Sequence, residues 1–270
     1  SDPRERFYHD SGTWVIHQFG VRPELRGQGW GSKLLAHACA VAKEAGATEI
    51  GLDTAMPATD LVAYYRRQGF EHRHEVQWES ANYRSTVMFQ NLVPDKRVVR
   101  FATAADTEDV VAIVQAVYKE YGFTWEADGY NADLYDTESA YPRPFSYFWV
   151  GLEGGKVVAC AGLSRHESTG GPLRIAPDPR PGKTRIAGTD CELHRVYVHP
   201  DHQGKGWGKQ MLATVTHQAA ADGCSAMAIW SDVSLVKAHK MYLKLGATEL
   251  GERRLDDPDD SLERGFGWVF

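Results

Sequence analysis

The chain has 270 residues, 43% of them hydrophobic and 24% charged, with a formal net charge of −6. This is the make-up of a globular protein of one or two domains, and its acidic balance argues against a nucleic-acid partner held by bulk electrostatics. No apolar run reaches the roughly 18 residues of a membrane span, so no membrane partner is expected.

The opening "SDPRERFYHDSG" lacks the apolar core of a signal peptide. Residues 14–21, "WVIHQFGV", are rich in β-branched and aromatic side chains and read as a strand. A glycine turn follows, then a helix whose apolar stripe is Leu34, Leu35, Ala38 and Ala42, with Gly46 placed to end it in a left-handed conformation. "TEIGLDT" reads as a second strand and "DLVAYYRRQ" as a second helix closing on Gly69. Proline and charge in "VPDKR", Val93–Arg97, interrupt two strand-like runs and mark a boundary between a first domain, 1–94, and a second, 95–270.

Beyond the boundary, "RVVRFATAA" reads as a strand, with Thr103 or Asp106 capping a helix over 106–121. "FSYFWVGLEGGKVVACAGL" reads as a hairpin turning at Gly154–Gly155, and the Gly/Pro-rich "STGGPLRIAPDPRPGKTRIAG" as a loop. "CELHRVYV" is a strand, followed by a second glycine turn and a helix with the stripe Met211, Leu212, Val215 and Ala219, ending at Gly223. "AMAIWSD" is a strand and "LVKAHKMYLKL" a helix closing on Gly246. Asp256, Asp257, Asp259 and Asp260 fall between the last two expected strands, either as an acidic rim that attracts a cation or as a solvated turn of Asp and Pro. Cys39, Cys160, Cys191 and Cys224 lack metal-ligand spacing, which reads as reduced thiols in a cytoplasmic protein with no metal.

Adding 177 to a residue number superposes the two glycine turns without a gap. The same shift carries His17 to His194, Pro23 to Pro200, Gly46 to Gly223, Tyr65 to Tyr242 and Gly69 to Gly246. A shared register over more than fifty residues is a duplication. The second copy is preceded by a full set of elements and the first by a dozen residues, so the first reads as the C-terminal half of a domain and the second as a whole one. A half domain exposes a sheet edge and an apolar face. It is therefore expected to pack on the second copy, on a partner chain in a homodimer, or on residues upstream of Ser1.

A glycine turn that opens a helix leaves main-chain N–H groups free to close around an anion, typically a phosphate. No Gly-Lys-Ser/Thr ends either turn, and the glycines fall as G-x-G-x-G rather than the dinucleotide G-x-G-x-x-G. The alternative is a tight turn that merely requires positive φ.

The stretches Val21–Gly31, "VRPELRGQGWG", and Val198–Gly208, "VHPDHQGKGWG", resemble the acyl-CoA signature of the GNAT N-acetyltransferases, Val-x-Pro before Arg/Gln-x-x-Gly-x-Gly/Ala. "YYRRQGF" and "HKMYLKLGA" resemble that family's closing Tyr-x-x-x-Gly-Phe element. The resemblance implies an α/β fold of α+β type, a mixed central sheet flanked by helices, in tandem with an incomplete N-terminal copy. It implies acetyl-CoA as co-substrate. The pyrophosphate would lie on Gln203, Gly204, Lys205, Gly206, Trp207 and Gly208, or in the first copy on Arg26, Gly27, Gln28, Gly29, Trp30 and Gly31. Main-chain groups of Tyr197 and Val198 would meet the pantetheine and the thioester carbonyl.

Attack by an amine on a thioester needs a base, since an alkylammonium has a pKa of about 10. Glu192, where many members of the family place a carboxylate, is the first candidate and His194 the second, on the same face of the strand by alternation. Tyr242 matches the tyrosine that protonates the departing thiolate, and Tyr65 holds its register. The first copy has Val15 in place of Glu192. Leu235, and Ala58 in the first copy, replace an asparagine that contacts the CoA arm in the family, with Ser234 as a substitute donor; Glu263 is a further candidate for an acceptor amine. The expected function is transfer of an acetyl group to a small-molecule amine in the C-terminal domain. The alternatives are a protein or peptide acceptor, and a non-catalytic acyl-CoA sensor.

Overall fold

A computed structural model describes residues 12–79, 81–93, 97–168, 170–180 and 182–270. Residues 94–96 of the expected boundary, and residues 1–11 of the opening stretch, lie outside the described residues. The chain divides into two compact units. One runs to Arg100 and includes Glu153–Gly155; the other comprises Phe101–Leu152 and Lys156–Phe270.

The first unit contains β1 (Thr13–Val15), α1 (Trp30–Glu44), β2 (Glu49–Ala55), α2 (Thr59–Arg67), β3 (Glu71–Gln77) and β4 (Arg84–Asn91). Its sheet runs β1-β2-β4-β3, with β1 and β2 parallel and joined by the crossover helix α1, as parallel neighbours must be. Leu35 and Ala42 of α1 and Tyr65 of α2 bury against Ile50 and Leu52 of β2 and Met88 of β4. The strand read over 14–21 stops at Val15, and Gln18 (φ 55°) has the left-handed conformation that breaks an extended run.

The division between the units falls within β5 (Val98–Phe101). After it come α3 (Thr107–Tyr121), the short α4 (Thr137–Ala140), β6 (Ser146–Glu153), β7 (Lys156–Arg165), β8 (Arg174–Pro177), β9 (Thr184–Ala187) and β10 (Cys191–Val198). The chain ends with α5 (Trp207–Ala221), β11 (Ala226–Asp232), α6 (Val236–Lys244), β12 (Thr248–Arg254) and β13 (Leu262–Val269). The mixed sheet is ordered β12-β13-β11-β10-β7-β6-β5. A capping box starts the α3 segment, where Asp106 accepts from the N–H and hydroxyl of Thr103. Alternation along β6 sorts the layers. Phe148 and Val150 pack with Val110, Val114 and Tyr118 of α3, while Gly151 faces Trp207 of α5. This is an α/β fold with helices on both faces of a mixed sheet.

The Gly/Pro-rich insert departs from the loop reading. Arg174–Pro177 and Thr184–Ala187 pair antiparallel as a two-stranded ribbon. Asp178 closes the turn by accepting from the N–H of Arg180 at 2.9 Å. Side chains at Leu173 and Ile175 reach over Gly265 and Gly267 of β13, so burial of a few apolar residues outweighs the local turn composition.

The duplication holds in three dimensions. A shift of 177 carries the bounds of α1, β2, α2 and β3 onto those of α5, β11, α6 and β12. It also carries Gln18 onto Arg195 (φ 53°) and the bulge at His72/His74 onto that at Glu249/Gly251.

Candidate active site

The second unit contains a cavity of about 1320 Å³, bounded by both ends of β10, the turn after it, α6 and the β12–β13 loop. Its shape follows from β10. Cys191, Glu192 and Leu193 pair with Met227, Ala228 and Ile229, and beyond Leu193 the two strands have no paired positions. On its other edge β10 stays on β7, but its register slips by one residue between His194 and Tyr197. Arg195 occupies that bulge with positive φ, a conformation that costs a non-glycine residue about 1 kcal/mol or more. Its guanidinium anchors it: Nε and Nη2 donate to Asp133 at 3.1 and 2.7 Å, Nη1 to Asn131 at 3.1 Å, and Nη2 also to the carbonyl of Tyr130.

The parting of the strands leaves main-chain donors on the β11 side of β10. His199 N–H donates to the carbonyl of Val158, so ladder alternation turns Tyr197 N–H toward β7 and Val198 N–H toward the open side. The bulge and its anchor were missed by sequence reasoning. Nothing at position 195, an arginine, signals left-handed backbone.

The turn after β10 passes through a short 3-10 helix, Pro200–His202, into Gly204 (φ 72°) and Gly206 (φ 87°). A Cβ on either glycine would meet nothing within 4 Å, so they are needed for backbone conformation and open approach rather than for packing. The helical ladder of α5 begins with Gln210 N–H donating to Gly206, which leaves the N–H groups before it pointing out of the helix end. No acidic side chain stands in that first turn. Gln203, Gly204, Gly206, Trp207, Gly208 and Lys209 line the cavity, and Gln203 Nε2 donates to Glu120 at 3.0 Å. Lys205 is exposed.

Glu192 and His194 both line the cavity from one face of β10. His194 Nε2 lies 2.7 Å from Ser164 Oγ, and its Nδ1 lies 3.9 Å from Glu192 Oε1. Desolvation lowers the pKa of His194 below the ordinary imidazole value, with Glu192 pulling the other way. Tyr242, on α6, is buried edge-to-face on Phe266 at 5.7 Å and lines the same cavity; burial raises its pKa well above the usual phenol value.

The remaining candidates separate. Ser234 is held by Asp232, which accepts from its hydroxyl at 2.5 Å and its N–H at 2.8 Å. Glu263 is buried and pinned by Arg253, whose Nε and Nη2 donate to it at 2.7 and 2.6 Å. Asp259 accepts from Thr124, Asp260 from Arg254 and Asp257 from Ser261 N–H, so three of the four loop aspartates are spent on local bonds. Ligand atoms of Asp190, Cys191 and Cys224 lie within 4.8 Å of one another, but Asp190 already accepts from Ser225 and Ala226. That group falls short of the four ligands of a structural zinc site.

In the first unit, Gly27 (φ 75°) and Gly29 (φ 79°) reproduce the turn, and the helical ladder starts equivalently at Lys33. There Arg26 Nε donates to the carbonyl of Val21 and Gln28 Nε2 to that of Glu24. No helix among the described residues is long and apolar enough to cross a membrane.

The chain is similar to an uncharacterized N-acetyltransferase of Escherichia coli (strain K12), YjgM, with 27% identity over 158 residues covering 58% of this chain and 84% of that protein. It is 28% identical over 122 residues to the N-acetylaspartate synthetase of Homo sapiens, covering 45% of this chain and 34% of the relative, so it spans about a third of that protein's length. A crystal structure of a GNAT-family acetyltransferase from Staphylococcus aureus Mu50 superposes with a TM-score of 0.51 at 15% identity, over 64% of this chain and 99% of that one. The pattern that defines the Acetyltransferase (GNAT) family matches residues 3–70 and 110–247, more than half of the sequence. The chain belongs to the Acetyltransferase (GNAT) family, enzymes that take their acetyl group from acetyl-CoA.

Proposed function

We propose that the protein transfers the acetyl group of acetyl-CoA to the primary amine of a small molecule, with the chemistry in the second unit. The observation that carries this reading is one cavity that brings together an open glycine turn, a strand edge with free donors, two proton acceptors and a buried phenol. Residues 1–94 then form a partial domain and 95–270 a complete one, since the elements of the first unit repeat only the later elements of the second. Two relatives at 27% and 28% identity are N-acetylaspartate synthetases, whose named product is an acetylated small molecule; this favours a small acceptor over a protein. Four free cysteines suit a reducing, cytoplasmic setting.

Gln203 to Gly208 would hold the diphosphate through main-chain N–H groups, with no side chain over Gly204 or Gly206 and no acid in the first turn of α5 to oppose it. Acetyl-CoA supplies the activated acetyl thioester. Val198 N–H, on the open edge of β10, is the donor for oxyanion charge at the carbonyl. Tyr197 contributes by holding β10 to β7. Glu192 accepts the proton of the incoming ammonium, with neutral His194 beside it. Tyr242 donates its hydroxyl proton to the departing sulfur. The burial that raises the phenol raises a thiol in the same cavity too, which keeps the transfer near balance.

The test is thiol release from acetyl-CoA across amines, polyamines, amino acids and peptides. Turnover of a small amine that falls about 100-fold in Glu192→Gln is the expected result. Turnover confined to peptides would replace the small-molecule reading, and acetyl-CoA binding without any turnover would leave a sensor.

A further inference from the structure

The insert ribbon brings a cation to the acceptor side of the cavity. Arg253 bridges it to the main sheet: its Nη1 donates to the carbonyl of Thr184 on β9 at 3.0 Å, while its other nitrogens hold Glu263 and its plane lies over Trp230 at 4.0 Å. The neighbouring residue, Arg185, therefore has a fixed position. Alternation sets Ile186, which is buried, on one face of β9 and Arg185 on the other, opposite the small Ala176. Arg185 lines the cavity with Glu192 and His194.

The other arginines of this region are committed. Arg180 binds Asp178 with two nitrogens, Arg195 binds Asp133, and Arg253 binds Glu263. Arg185 differs: its Nε is shielded from solvent and has no hydrogen-bond partner, and among the described residues it forms no ion pair. The residue is half-buried, and a guanidinium nitrogen shielded from water without an acceptor is an expense that a folded protein tolerates where a ligand supplies the acceptor. Its planar fork matches a carboxylate with two parallel bonds. Asp178 feels the charge of Arg185, and Arg180 that of Glu192, which places these charges in one neighbourhood. The glycine turn follows the opposite end of β10, six residues beyond Glu192, about 20 Å of extended chain. The phosphates of acetyl-CoA are thus accounted for elsewhere.

We propose that Arg185 is a specificity-determining residue that binds a carboxylate on the acceptor, so that the substrate is an amino acid or a similar amino carboxylate rather than a simple amine. This rests on the acetyltransferase reading above. Such a molecule presents its amine to Glu192 and its carboxylate to Arg185, both of which line the cavity.

The experiment compares kcat/KM, at saturating acetyl-CoA, within matched pairs: L-leucine against 3-methylbutylamine, and L-phenylalanine against 2-phenylethylamine. The wild-type protein should favour the member with the additional carboxylate. In Arg185→Ala the ratio within each pair should fall about 10- to 100-fold, the worth of a charged hydrogen-bonded contact, and mainly through KM. Arg185→Lys, which keeps the charge but not the fork, should retain part of the ratio, and Kd for acetyl-CoA should not move. Thiol release that is indifferent to the carboxylate, or a ratio unchanged in both variants, would overturn this inference while leaving acetyl transfer intact. No release with any amine would remove acetyl transfer and this inference with it.

Discussion

Trp30 and Trp207 hold the same position in the two copies, the first residue of a 15-residue helix after a left-handed glycine, yet Trp30 is 44% exposed and Trp207 1%. One turn further on, Leu34 is 46% exposed and its counterpart Met211 is fully buried. The turns differ little in backbone. What differs is the floor beneath them. Gly151 on β6 lets the Trp207 ring approach so closely that a Cβ there would stand 2.4 Å from it, whereas in the first unit the sheet, among the described residues, ends at β1. A glycine turn is thus a local property, while a cavity is a property of the layers around it. Among the described residues, the sheet of the second unit continues past β10 to β7, β6 and β5, while β1, the counterpart of β10, is an edge.

The sharpest test of that contrast is stability. Trp207→Ala should cost about 3–5 kcal/mol and lower Tm accordingly, whereas Trp30→Ala should stay within about 1 kcal/mol. Equal losses would mean that the first-unit helix is covered as tightly as the second. Next comes the turn itself. Gly206→Glu puts a carboxylate where the diphosphate is expected and forces a side chain into φ 87°, so the Kd for acetyl-CoA should rise at least about 100-fold, near 2.7 kcal/mol. Gly29→Glu should leave kcat/KM within about threefold, and turnover lost there instead would move catalysis to the first unit. Third, Tyr242→Phe should lower kcat about 10- to 100-fold at unchanged acetyl-CoA affinity, while Tyr65→Phe should not affect it. A Tyr242→Phe enzyme with full kcat would reduce this tyrosine to a packing residue against Phe266.

Much of this was legible from residue spacing. The gapless shift of 177 fixed helices, strands and both glycine turns because each is dictated within a few residues, by apolar period and by glycine's tolerance of positive φ. Glu192 and His194 could be set on one face because strand alternation is equally local. Arg195 could not be foreseen, since its left-handed backbone is held by Asp133 and Asn131, some sixty residues away. Nor could the ribbon at 174–187, where Leu173 and Ile175 covering β13 override a composition full of turn formers. Tyr197 and Val198 were adjacent and equivalent in sequence. Only the ladder with β7 shows which of their N–H groups is open.

The smallest expected effect concerns protons. Desolvation keeps the native His194 imidazole below its ordinary pKa of about 6.5, so the folded protein resists a proton that the unfolded chain accepts. Where the unfolded state binds more protons, stability rises with pH. Acidification from about pH 6.5 downward therefore weakens the fold through this residue, until the pH passes below the depressed native value and the loss is complete. The charges of Glu192 and Asp133 oppose the shift and those of Arg195 and Arg253 add to it, so the slope is the net of opposing contributions. His194→Gln, still able to bond Ser164, should flatten Tm against pH below about 6.5. Parallel curves for wild type and His194→Gln would mean that the imidazole titrates freely.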